Sequence, residues 1–186
     1  MDLYLGGSPF FSSSKDYKHL IGHMVTPPIF SWLWKSCCQN KHKVFFWLLL
    51  KDRLSTRGLF KRRNMILPSY DCVCCLSNVE EDLAHLFITC TFAKECWASI
   101  GLMVYHYNPW TVFNSLKGQL NVTFFMETII LMSWCIWMQQ NDLIFLGLHN
   151  HPSNCKLHFK RAFALVVHRA KAHHKEAMSS WLEALL

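Results

Sequence analysis

DCVCCLSNVEEDLAHLFITC, residues 71–90, gathers four potential metal ligands in one short stretch. Cys72 and Cys75 form a C-x-x-C pair, nine residues separate Cys75 from His85, and four more precede Cys90. A C-x-x-C turn offers two thiolates to one ion from a tight loop, and a His and a Cys further along can close a tetrahedron around Zn2+. Cys74 competes for either of its neighbours' places, but C-x-C leaves little loop between two thiolates, which favours Cys72 and Cys75. Asn78 followed by Val79, Glu80 and Glu81 reads as a helix N-cap with an acidic first turn, so His85 is expected on a helix that starts there. Thr89 and Thr91 cap well and propagate a helix poorly, which predicts that Cys90 sits where one helix ends and the next begins. Leu83, Leu86 and Phe87 would pack beneath the site.

Four protein ligands make a closed site, which is the pattern of a structural ion, worth on the order of 10 kcal/mol to the local fold. A thioredoxin-type redox pair is the other use of C-x-x-C, and no βαβ pattern surrounds this one. The competing reading is that thiols fall together by chance in a chain with nine cysteines.

Outward from this stretch the chain reads as helical. Upstream, Ser12 to Ser14 look like the cap of a short helix, and Thr26 to Pro28 break the chain. Pro28 can then begin a helix whose inward stripe is Ile29, Phe30, Leu33 and Trp34. KHKVFFWLLL, residues 41–50, has no period that separates strand from buried helix, but its Leu-rich end favours helix. Ser55 or Thr56 caps a basic helix with Arg57, Lys61, Arg62 and Arg63 outward and Leu59 and Phe60 inward. Downstream, a helix spans 92–102 and includes Cys96, a further conceivable ligand that reads more simply as core. A loop over 103–110 leads to a helix begun by Asn108 and Pro109, and 118–121 form a second break. A long apolar helix then covers 124–145. One amphipathic basic helix runs from Ser153 toward Ser180. The expected class is mainly α: an N-terminal helix and linker over 1–29, a zinc-stapled domain over 30–102, and a helical extension over 103–186 packed on the same core.

With 52% hydrophobic residues, eight Trp and fourteen Phe, the 186 residues can bury a large core, so disorder does not describe the whole. Nine cysteines behind an N-terminus without a basic or apolar signal region fit an intracellular, reducing compartment. The apolar run from Phe124 to Met138 is shorter than the roughly 20 residues a bilayer needs, and no membrane partner is expected. The net charge of +7 is blocky. From Lys35 to Arg63 nine Lys and Arg face only Asp52, and Lys156, Lys160, Arg161, Arg169, Lys171 and Lys175 crowd the C-terminal part. Such blocks suit RNA or DNA as a partner, with Arg57, Lys61, Arg62 and Arg63 as first candidates. An ordinary solvated face would look the same, and oligomeric state stays open.

Several blocks together resemble a known family. Trp32 to Lys35, then KVFFWLLLKDRLSTRGLFKRRNM, the C-x-x-C, and HLFITCTFAKECW resemble the zinc-binding domain that follows the reverse transcriptase in plant non-LTR (LINE-type) retrotransposons. Phe11 to Tyr17 resembles the short helix before that domain, and WCIWMQQNDLIF at 134–145 resembles its C-terminal helix. The resemblance implies the same ligands, Cys72, Cys75, His85 and Cys90, holding Zn2+. Gln140 stands where the family usually has Arg, and Cys37 and Cys38 replace a lysine- and proline-containing linker. A polymerase needs paired metal-binding aspartates and an RNase H-type nuclease needs converging acids. The chain has no Asp-Asp pair, and Glu80, Glu81 and Asp82 fall on one turn. A binding module without catalytic activity is therefore expected.

Overall fold

A computed structural model describes residues 27–75, 77–105 and 108–185, together with position 13. Apart from that position, the helix expected from Ser12 lies outside the described residues. The regular elements are α1 (Pro28–Lys35), α2 (Asn40–Leu50), α3 (Arg57–Arg62), a π-helical turn (His85–Thr89), α4 (Thr91–Ala98), α5 (Pro109–Leu120), α6 (Phe125–Leu146), α7 (Pro152–Arg169) and α8 (Ala172–Glu183). Among the described residues there is no strand, only an isolated β-bridge between Asp71 and Glu80, so the mainly α expectation holds.

Local chemistry sets most boundaries. Thr56 Oγ1 accepts the Leu59 N–H at 3.2 Å to cap α3, and Asn108 Oδ1 accepts from Trp110 and Thr111 to cap α5. Pro28, Pro109 and Pro152 start helices, where their missing N–H costs nothing. Asn64, Asn121 and Gly147 take positive φ just beyond α3, α5 and α6, the left-handed turn that ends a helix.

α6 is the centre of the molecule. It packs on α2, α4, α5, α7 and the π turn, and Ile130, Leu131, Met132 and Ile136 are fully buried around its circumference. A helix apolar on all sides must be enclosed on all sides. At 22 residues it is longer than the run counted in the sequence and by length and composition could cross a bilayer, but its neighbours pack on it between Met126 and Gln140, leaving Phe145 and Leu146 at its end exposed. Phe45, Phe87, Trp134 and Trp137 form an aromatic cluster between α2, α6 and the π turn, with Phe45 edge-on to Trp134 at 5.2 Å.

Four expectations change. Gly118 sits inside α5, which runs on to Leu120. Trp34 is 51% exposed, because Ile29 and Leu33 take the inward positions of α1. The basic C-terminal helix is two helices, broken at Ala170 and Lys171, both extended. That break lets α8 fold back, burying Met178 and setting Trp181 against Phe124, Phe159 and Phe163. Asn78 is not a helix cap: its φ of 48° makes it a turn residue, and the cap is Asp82, as shown below.

Candidate metal centre

The loop from Ser69 to Glu81 is fastened to α3 before it reaches the helix that carries His85. The Cys72 N–H donates to Val79 O at 2.8 Å and the Glu81 N–H to Tyr70 O at 2.9 Å, which closes the loop on itself. Glu81 is fully buried, its Oε1 accepts the Arg57 N–H at 3.1 Å, and its carbonyl accepts the Gly58 N–H at 2.8 Å. Burial pushes the Glu81 carboxyl above its ordinary range. The Arg57 guanidinium donates to Ser69 O and Asp71 O. Sequence reasoning placed Arg57 outward and missed both it and Glu81 as the clamp of the cysteine loop.

Asp82 Oδ1 accepts the His85 N–H, which starts the helical segment three residues before the histidine. The segment then widens: the Cys90 N–H donates to His85 O at 2.8 Å, a bond five residues long. In an α-helix, residues five apart point about 140° away from each other, whereas the wider π turn brings them toward one side. His85 and Cys90 are thereby brought to face the same point, with Cys90 at the junction with α4, where the sequence put it.

Cys72 Sγ, Cys75 Sγ, a His85 ring nitrogen and Cys90 Sγ all lie within 4.8 Å of one another. Cys72 Sγ is 3.9 Å from Cys90 Sγ and Cys75 Sγ is 3.3 Å from His85 Nε2. A tetrahedral Zn2+ with bonds of about 2.3 Å to sulfur and 2.0 Å to nitrogen has ligand atoms about 3.5–3.8 Å apart, so this donor set fits such an ion. Thr89 Oγ1 lies 3.1 Å from His85 Nδ1. With Nδ1–H donating to that hydroxyl, Nε2 keeps its lone pair toward the thiols, the usual way a ligating imidazole is oriented. Thr89 was legible only as a poor helix former, not in this role.

Hydrogen bonding with Cys74, with burial behind it, holds the Cys72 thiol well above its ordinary range. Hydrogen bonding with Cys72 and burial do the same for Cys90, and burial lowers His85. Protons therefore occupy the thiols until a cation displaces them, which makes cation affinity rise with pH. Cys74 stands outside the four-donor group. Cys96 is turned away into the core, beside Cys155.

The other candidate residues are dispersed. Lys61 pairs with Glu80, and Arg62 pairs with Asp52 at 2.8 Å. Of the four cations proposed for nucleic acid, Arg63 alone is exposed and without an ion pair among the described residues. Glu80, Glu81 and Asp82 serve Lys61, Arg57 and His85 respectively, so they do not converge.

No curated protein and no solved structure matches this chain. Residues 11–97 match the family described as zinc-binding in reverse transcriptase, which supports a zinc-binding domain of that kind over α1, α2, α3, the cysteine loop, the π turn and most of α4.

Proposed function

We propose that Cys72, Cys75, His85 and Cys90 hold one structural Zn2+, and that the chain is a nucleic-acid-binding module derived from a plant LINE-type reverse transcriptase, without polymerase or nuclease activity of its own. The observation that carries this reading is the donor set within 4.8 Å, built from a loop and a π turn that have no other evident reason to meet. Three thiolates and an imidazole are the soft, closed set that suits Zn2+ and leaves no position for a reacting water. The family match over 11–97 and the divergence of the three neighbouring acids favour a binding role over catalysis. The positive charge supplies an electrostatic means of holding a polyanion.

Elemental analysis of the purified protein beside Cys75→Ser and His85→Ala tests the ion. About one Zn per chain, lost in both variants together with helical signal, is expected. A metal-free protein with full helicity contradicts it. Salt-dependent binding of single-stranded RNA and DNA tests the partner, because phosphate contacts release counterions and weaken steeply as salt rises. Absence of binding at low salt leaves a structural or protein-interaction module.

A further inference from the structure

Two acid-free stretches, 17–51 and 143–175, lie far apart in the sequence, and the fold brings them to one cleft. About 320 Å³ in volume, it opens between the end of α1 and the joint of α7 with α8, and Lys35, Arg169, Lys171 and His174 line it. Lys35 and Lys171 are exposed and make no ion pair among the described residues. Arg169 is anchored by its Nε–H to Cys37 O at 3.1 Å. The acid in the cleft wall is Glu127, 7% exposed, whose Oε1 accepts the Cys37 N–H at 2.8 Å and faces its thiol at 3.3 Å. Three cations, of which Arg169 alone is anchored, thus outweigh one buried carboxylate that is already engaged.

Two features add to the charge. Lys171 is the N-cap of α8 and no side chain caps the first turn, so free N–H groups and the positive helix end lie beside the cations. Trp34 adjoins Lys35 in the chain with half its surface in solvent, and its carbonyl accepts from Lys43 Nζ at 3.1 Å. Trp34 thus presents an exposed indole on the residue before Lys35, and a stacking platform near backbone charge is the pairing that single-strand binders use.

We propose that this cleft binds the phosphate backbone of a single-stranded nucleic acid, with Trp34 stacking a base at its edge. The proposal rests on the nucleic-acid reading above and moves the contact surface from α3, whose Arg57, Lys61 and Arg62 are engaged within the protein, to α1 and the α7–α8 joint. Lys35 and Lys171 supply mobile charge, Arg169 supplies fixed charge, and the end of α8 supplies N–H donors.

The test is fluorescence anisotropy of a labelled single-stranded RNA of about 16 nucleotides with the zinc-loaded full chain, between about 50 and 200 mM salt. Lys35→Gln combined with Lys171→Gln removes two exposed charges whose side chains make no hydrogen bond among the described residues. It is expected to weaken binding about tenfold at low salt and to reduce the log–log salt slope by about 1.4, two contacts at roughly 0.7 each. Trp34→Ala weakens binding with the slope unchanged, and Lys61→Gln with Arg62→Gln and Arg63→Gln leaves both quantities at wild type. Circular dichroism and zinc content are expected to match wild type in each variant. Wild-type affinity in the Lys35 and Lys171 variant, or loss only in the α3 variant, overturns the cleft while the nucleic-acid reading survives. A wild type that binds phosphatidylserine vesicles but no RNA, or binds neither, overturns both.

Discussion

Two helical glycines should respond to alanine with opposite signs. An alanine inside a helix is ordinarily worth about 1 kcal/mol over glycine. Gly118 sits in α5 with nothing within 4 Å of the position a Cβ would take, so Gly118→Ala is expected to stabilise by about that amount. Gly58 sits in α3, and its Cβ would lie 2.8 Å from the Glu81 carbonyl oxygen, a backbone atom that cannot swing aside. The same oxygen accepts the Gly58 N–H at 2.8 Å, and the Glu81 carboxylate accepts the neighbouring Arg57 N–H. Relieving the contact pushes the 81–82 segment off α3, weakening two hydrogen bonds worth about 1 kcal/mol each and adding packing strain of about 1–3 kcal/mol. After the helical gain of about 1 kcal/mol, Gly58→Ala is expected to cost a net of about 1–3 kcal/mol, roughly 2–12 °C in Tm for a chain of this size. Because Asp82 caps the segment carrying His85, zinc affinity should fall as well. Urea denaturation of both variants with zinc saturating, beside a chelator competition, reads these effects. Stabilisation by Gly58→Ala, or the same sign at both glycines, would refute the account of how the cysteine loop is held.

Thr89→Val keeps the shape of the π turn but removes the hydroxyl facing His85 Nδ1; zinc affinity by chelator competition should drop about 10- to 100-fold while helicity with zinc saturating is retained. His42 is buried against Trp134, and burial, then Lys41 and Arg169, push its pKa down to about 4. The unfolded chain therefore takes up this proton first, so the contribution of His42 to wild-type stability is full above about pH 6.5 and is lost toward pH 4. His42→Leu should lack that component, and the wild-type-minus-variant difference in urea midpoint should shrink with falling pH; a difference constant across the range contradicts the assignment. Arg57→Gln removes the donors to Ser69 O and Asp71 O and should lower stability by about 1–3 kcal/mol in urea titrations, whereas Arg63→Gln should stay within about 0.5 kcal/mol of wild type.

What the sequence disclosed was what short-range chemistry decides. The Cys72, Cys75, His85 and Cys90 spacing is local, and the fold gathers these four side chains within 4.8 Å of one another; the Thr56 and Asn108 caps and the Pro28 and Pro109 helix starts are local too, and each lies where the sequence put it. Asn78 reads as a cap, but the cap is Asp82, because Glu81 is buried and bonded to Arg57, twenty-four residues away. The break at Ala170 and Lys171 has no Gly or Pro to announce it; it follows from burying Met178 and packing Trp181 on Phe124, Phe159 and Phe163. Glu127 lies within the apolar run from Phe124 to Met138, and its partner, the Cys37 N–H, lies ninety residues away. The basic helix was legible as charge, but its ion pairs with Asp52 and Glu80 depend on how the loops fold over it.

The central claim is that the four donors form one closed zinc site. Zinc K-edge X-ray absorption on the zinc-loaded protein addresses it directly. The account predicts three sulfur scatterers at about 2.3 Å and one nitrogen at about 2.0 Å, with no oxygen from water. A first shell containing water oxygen, or fewer than three sulfurs, would contradict it.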